Sequence, residues 1–479
     1  MIKASIKRIE RNLISNEHSD QSIPIFFVGD LGDLGKYLSK EDYKYLTALK
    51  FKGICGECII LPKSDGNIGK VIFGVRSKGS FKLKFFFGSQ VSKLPGGTYN
   101  IKSLPENINL RELYLGFYFS FYSFNFYKKS NNVSSKLDKP KLNGSALRNH
   151  EKFIHLTESE YIARDLINSP ANKMGPSELE DYAKSFADFH QANFLSICGE
   201  GLIKENLPLI YSVGKASERE PRLIEINHGM ADARFSITLV GKGVCFDTGG
   251  LNLKSSVGMR NMKKDMAGAA TVLSLAHYFI RSGTNVKLRI LIPCVENSLS
   301  GNAFRQGDVL TSRSGTSIEI NNTDAEGRLI LADALNLAIE DPPDLLVSFA
   351  SLTGAARVAV GSDLTPFFST SANLASLVIS GGDDWFDPVW QLPFYQDYED
   401  QLESEIADLN NAPSGGLAGS ITAAPFLRHF TNNHKNFLHF DLFGWNQKNR
   451  PGKSYGGLLQ GARSLAAAVE KMIEEMNQK

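Results

Sequence analysis

Apolar runs alternate with stretches of helical period along most of the chain, and this alternation predicts an α/β architecture in two parts. In the first part the strand-like runs IPIFFVG, ECIILP, KVIFGV and KLKFFFG are separated by helix-like stretches such as SKEDYKYLTALKF. That pattern predicts a small N-terminal α/β domain. The second part opens with two helical patterns, TESEYIARDLINSP and PSELEDYAKSFADFHQ. FSITLVG, VKLRILIPCV and DLLVSFASL then read as strands, with AGAATVLSLAHYFIRSG and GRLILADALNLAIE as helices between them. Strands that are apolar throughout and separated by helices predict a mixed, largely parallel sheet covered by helices on both faces.

Between the two parts lies SNNVSSKLDKPKLNG, starting at Ser130, a polar segment without apolar periodicity that reads as a linker. The expected division is an N-terminal domain over 1–129, a linker over 130–149 and a larger catalytic domain over 150–479. The N-terminal part ends in RELYLGFYFSFYSFNFYKK, with nine aromatics between Tyr114 and Tyr127. So dense a stretch could stack bases. It carries no interleaved basic residue before Lys128, so a helix buried against the next domain is the expectation.

Composition narrows the classes. With 479 residues, 42% hydrophobic and 22% charged, the chain has the profile of a soluble globular protein of more than one domain. Its 53 basic and 51 acidic residues leave a net charge of only +2, which argues against nucleic acid and anionic membrane as partners. No apolar run approaches the ~18 residues of a membrane span. The basic N-terminus MIKASIKRIERNLIS lacks an apolar core and cleavage site, so it reads as a surface helix and the expected location is cytoplasmic. Five cysteines are too few and too odd in number for a disulfide framework. Cys55 and Cys58 have C-x-x-C spacing, but no second pair completes a zinc site, so two small buried thiols entering a strand are expected.

Three segments carry charges that a fold alone would not demand. In Val240–Lys254, Lys242 sits between two glycines at the end of an apolar strand, with Asp247 and Lys254 following. Glycines there permit close backbone approach, at the sheet edge where α/β proteins bind ligands. In MRNMKKDMAGAA, Asp265 precedes a helix of small residues, and its simplest role is an N-cap. In NNTDAEGRL, Asp324 and Glu326 are two apart, so an extended backbone turns both carboxylates to one side. They repel unless a cation lies between them. Arg328, in the first helical turn, opposes the macrodipole and so is not there for helix stability.

These segments resemble the signatures of the leucyl aminopeptidase (cytosol aminopeptidase) family. VGKGVCFDTGG, MKKDMAGAA and NTDAEGRL stand in order, and NSPANKMGPSEL, SGNAFRQGDVLTSRSG, SLTGAARVAVG and GGLAGSITAA extend the likeness over residues 150–479. The resemblance implies a metal-dependent aminopeptidase with two divalent ions, Mn²⁺ or Zn²⁺, per subunit. Lys242, Asp247, Asp265 and Glu326 would hold the tighter ion, and Asp247, Asp324 and Glu326 the more exchangeable one. Lys254 and Arg328 would be the catalytic residues that bind no metal, the latter holding a bicarbonate that serves as general base. Met262, Leu352, Gly354 and Phe443 would contact the substrate. Homo-oligomers, as hexamers of two stacked trimers, are implied too. The charge count agrees: four carboxylates balance two divalent ions only if Lys242 binds as the neutral amine.

The chain departs from the family pattern at HFDLFGW, where Phe443 replaces a small alanine, and at Ser351, where threonine is common. A shallower pocket for the first side chain is the expectation from Phe443. Some relatives act as DNA-binding or scaffold proteins, which is the alternative reading. No H-E-x-x-H is present, and His439 reads as structural.

Overall fold

The computed structural model describes residues 2–15, 22–30, 32, 35, 37–77, 84–129, 138–143, 150–229 and 233–478. Two compact units emerge: Lys3–Thr157 with Lys448–Ser454, and Met1–Ile2 with Glu158–Gln447 and Tyr455–Lys479.

The first unit carries a six-stranded sheet. Its strands are β1 (Ile14–Ser15), β2 (Ile23–Val28), β3 (Cys58–Pro62), β4 (Ile68–Gly74), β5 (Gly97–Ser103) and β6 (Pro140–Asn143), in the order β1-β6-β5-β2-β4-β3. All neighbours pair in parallel except β3 with β4. Strand β6 lies inside the polar segment 130–149, of which residues 130–137 and 144–149 fall outside the described residues. The run KLKFFFG, expected as a strand, becomes helical from Phe86 to Val91. Lys82 and Leu83 fall outside the described residues. The physical reason is a close helix crossing: a Cβ on Gly88 would lie 2.0 Å from the carbonyl of Leu113, and one on Gly116 2.6 Å from that of Phe85. Packing at two glycines overrides the β propensity of three phenylalanines. The partner is the aromatic helix Leu110–Ser120, whose Tyr114, Phe117, Tyr118 and Phe119 are buried. The Tyr114 hydroxyl donates to the Asn143 carbonyl. These rings are therefore core of this unit and offer no face for stacking bases. The thiols of the C-x-x-C pair are not buried as expected: Cys58 is exposed and Cys55 half-buried. Strand β3 is a sheet edge, and its alternation turns Cys58 outward.

The second unit is built on a nine-stranded mixed sheet. Its strands are β7 (Asn193–Cys198), β8 (Arg222–His228), β9 (Ser236–Gly241), β10 (Gly243–Asp247), β11 (Lys287–Asn297), β14 (Leu345–Ala350), β15 (Thr365–Ser369), β16 (Val389–Gln391) and β18 (Phe437–Asp441), with the short β12 (Val309–Thr311), β13 (Ser317–Glu319) and β17 (Leu409–Asn410) forming a separate sheet. The order is β16-β15-β18-β14-β9-β11-β8-β7, with β10 also paired to β11. The central β18, β14, β9 and β11 are parallel, and β8 and β15 flank them antiparallel. Buried helices Ala267–Arg281 and Glu326–Ala338 pack on this sheet, as their apolar period predicted. Among the described residues no helix is long and apolar enough to cross a membrane.

Buried histidines of this unit give the fold a pH dependence. His190 Nε2 meets His277 Nδ1 at 3.0 Å, and His277 Nε2 meets Glu158 at 3.0 Å. His439 sits in β18 with Nδ1 2.8 Å from the Ser348 hydroxyl, the structural role expected of it. Burial pulls His190 and His439 each down to about 3. Unfolding releases both to an ordinary pKa of about 6.5, so below that pH the unfolded chain binds protons the folded chain refuses. Stability is thus full above pH 6.5 and is lost as pH falls. Going to pH 5 should cost about 2 kcal/mol per histidine. Denaturant midpoints at pH 7 and pH 5 measure this. A midpoint that does not move would show these rings are not held neutral, and one that moves equally in His190→Asn would show the same of His190.

Candidate active site

The functional side chains gather at the C-terminal ends of the parallel strands. Leu291 pairs with Val240 and Cys294 with Gly243, so the ladder to β11 is interrupted at Lys242. The Lys242 N–H donates to the Phe349 carbonyl and its own carbonyl accepts from Ala269, both at 2.9 Å. This places the lysine between β9 and β10, and it is buried. Gly327 makes the space for its side chain, because a Cβ there would lie 2.6 Å from Lys242 Nζ. Asp247 ends β10, and Gly249 and Gly250, with φ of +88° and +63°, turn the chain back so that Lys254 returns to the site.

Asp265 lies in the 3-10 turn Met262–Met266, one residue short of the N-cap of helix Ala267–Arg281, and makes no capping bond. The N-cap reading fails for this reason. Its Oδ1 instead accepts from the Ser351 hydroxyl at 2.7 Å, and its Oδ2 is 2.8 Å from Lys242 Nζ. Glu326 begins helix Glu326–Ala338, at the positive end of its dipole, with Oε1 2.9 Å from Lys242 Nζ. Lys254 pairs with Asp247 at 2.8 Å and with Asp324. Arg328 is buried and donates to the Asn411 carbonyl at 2.6 Å.

Electrostatics mark this as a cation site. Donor atoms of Asp247, Asp265 and Glu326 all lie within 4.8 Å of one another. Burial, reinforced by Asp247, pushes Glu326 and Asp324 above the usual carboxylate range. Burial alone would pull Lys242 down, but Asp265, Glu326 and Asp247 outweigh it and carry it well above its ordinary value. Lys254 is raised in the same way by Asp247, Glu326 and Asp324. Two lysines cannot neutralise four carboxylates, and Glu326 Oε2 is buried with no hydrogen-bond partner. An unpartnered carboxylate oxygen of this kind is costly unless a further cation approaches it. The donor set of hard oxygens and one amine therefore fits divalent metal ions.

The cavity around these groups, about 260 Å³, is lined by Lys242, Asp247, Lys254, Asp265, Asp324 and Arg328 on its charged side. Met262, Leu352 and Gly354 line it as well, whereas Leu442 rather than Phe443 reaches it from β18's end. Phe443 is buried and is not among the lining residues. Three supporting residues were given no role by the sequence, although Ser351 and Asp441 stand in the segments SLTGAARVAVG and HFDLFGW. Asn297 donates to Asp247 Oδ1 at 2.9 Å. Ser351 holds Asp265. Asp441 accepts from the N–H groups of Leu352 and Thr353, both at 3.0 Å, and so pins the loop after β14. Only the pairing of β14 with β18 reveals that last role.

A mixed α/β sheet with a buried carboxylate–lysine cluster at its C-terminal edge defines a metal-dependent hydrolase domain. Comparison with known proteins makes this specific. Residues 161–466 match the family model described as cytosol aminopeptidase family, catalytic domain. The cytosol aminopeptidase of Encephalitozoon cuniculi (strain GB-M1) is 33% identical over 98% of both chains. The crystal structure of the cytosol aminopeptidase from Coxiella burnetii superposes with a TM-score of 0.86 at 38% identity, covering 95% of this chain and 98% of that one. The bottromycin maturation enzyme BotP in complex with Mn superposes with a TM-score of 0.82 at 26% identity, covering 95% of this chain and all of that one (100%). The chain belongs to the cytosol aminopeptidase family. It is an aminopeptidase, a peptide hydrolase. The DNA-binding or scaffold alternative gains no support from these relatives.

Proposed function

We propose that the chain removes N-terminal residues from peptides with two divalent ions per subunit, Mn²⁺ or Zn²⁺. The single observation that carries this is the unpartnered Glu326 Oε2 inside a buried carboxylate cluster. Lys242, Asp247, Asp265 and Glu326 would hold one ion, and Asp247, Asp324 and Glu326 the other. The side chain of Asp324 is 32% exposed against 4% for Asp265, which suits a more exchangeable second site. The ions would supply Lewis acidity, acidifying a water and polarising the scissile carbonyl.

The chain's own groups do the rest. Lys242 can act as a ligand only as the neutral amine, so binding there must displace its proton. Lys254, released from Asp247 and Asp324, is placed to donate to the carbonyl oxygen as negative charge develops on it. Arg328, in the first turn of helix Glu326–Ala338, forms with that helix end an anion site that suits bicarbonate as general base. Met262, Leu352 and Gly354 would face the first side chain. The family likeness also supports a cytoplasmic homo-hexamer.

Elemental analysis tests the metal assignment without relying on turnover. The native chain should retain about two ions after dialysis, and Asp324→Ala about one. Two ions retained in the variant would remove Asp324 from the ligand set.

A further inference from the structure

Two cations line the catalytic cavity that hydrolysis itself does not employ: Lys264 and Arg357. Both are held against one ring. Lys264 Nζ lies 5.2 Å from the centre of Phe443 and Arg357 Cζ 4.6 Å from it. Among the described residues neither forms an ion pair with a carboxylate, since Asp265 pairs with Lys242 and Asp247 and Asp324 pair with Lys254. Lys264 is buried and Arg357 is exposed at the mouth, one turn into helix Gly354–Val360.

An aromatic face attracts a cation without occupying its hydrogen-bond donors. The ring thus fixes both cations while leaving their N–H groups to a ligand. A buried ammonium without a carboxylate partner is costly, and a ligand carboxylate would relieve that cost. The loop that carries Leu352 and Gly354 is tied down by Asp441, so the base of Arg357's helix is rigid. Bidentate recognition of a carboxylate by a guanidinium then needs little reordering.

We propose that Lys264 and Arg357, supported by Phe443, make the pocket for the first residue selective for an acidic side chain, aspartate or glutamate. This rests on the reading that Met262, Leu352 and Gly354 line that pocket. Phe443 then acts as a positioning residue rather than as the filler of the pocket that its size alone suggested.

The test uses Glu-, Gln-, Leu- and Lys-p-nitroanilides and matched Glu-initiated peptides with the metal-loaded full chain; the anilides have no C-terminal carboxylate, so negative charge on them can lie only on the first side chain. The ratio of kcat/KM for Glu over Gln should be at least about tenfold in the native protein, because the two differ only by the charge the cations read. It should fall to about one in Arg357→Met, survive in Arg357→Lys, and give way to preference for a Lys-initiated substrate in Arg357→Glu. A native ratio near one, or a native ratio that Arg357→Met leaves unchanged, overturns the proposal. Absence of turnover on all substrates would instead overturn the peptidase assignment of the site. If only peptides with a free C-terminal carboxylate respond to Arg357→Met, the cation reads the far end of the substrate and the proposal is wrong.

Discussion

Glu326→Ala, or removal of divalent metal by a chelator, is expected to lower kcat/KM by about 10⁴-fold or more, corresponding to at least about 5.5 kcal/mol of lost transition-state stabilisation. Glu326, like Asp247, is assigned to both proposed ion sites, and its Oε2 is buried with no hydrogen-bond partner. Removing it disables both sites together, so the loss should match that of chelation and the two should not add. Mn²⁺, Zn²⁺ or Co²⁺ should restore the chelated native enzyme and not the variant. The fold should survive, because Lys242 keeps Asp265 and the Ser351 carbonyl as partners. Burial also raises Glu326, so its removal takes away an unfavourable buried charge rather than a stabilising one. Thermal melts and steady-state rates on the same preparations decide the matter. Full turnover of a metal-free sample, or a variant that keeps activity, would show that the cluster is not the catalytic centre.

Lys254→Met should cost about 10²- to 10³-fold in kcat with little change in KM. A preorganised donor to a developing oxyanion acts on the transition state rather than on the bound substrate, and removal of one such donor costs about that much. Lys254 is held by Asp247 and Asp324, two of the groups assigned to the ions. Methionine keeps the length and apolar stem of the side chain and removes only the charge. Metal content should hold at the native value, which separates this variant from one that damages the ligand set. A tenfold rise in KM with kcat intact would reassign Lys254 to substrate binding.

The elements of the second unit were readable because their apolar runs are continuous and the helical period between them is unambiguous. FSITLVG, VKLRILIPCV and DLLVSFASL each became a strand of the parallel centre. In the first unit IPIFFVG, ECIILP and KVIFGV also became strands, and KLKFFFG did not. KLKFFFG has strand composition, but the approach of Gly88 to Leu113, more than twenty residues away, decides its conformation. The C-x-x-C thiols were expected inside because cysteine is usually buried, yet an edge strand turns Cys58 to solvent.

By itself the sequence determined the chemical inventory of the site: Lys242, Asp247, Lys254, Asp265, Asp324, Glu326 and Arg328 stand in segments whose spacing and composition belong to one family of hydrolases. What it could not determine is which side chains share a space, because that depends on contacts between segments far apart. Lys242 reaches the carbonyl of Ser351, 109 positions on, and Asp441 pins Thr353, 88 positions before it. Only the register of β14 between β9 and β18 brings these strand ends together. Just beyond the end of β18, Leu442 lines the cavity, whereas Phe443 is buried and is not among its lining residues. An aromatic residue read from the sequence as a plug thereby becomes the platform on which Lys264 and Arg357 rest.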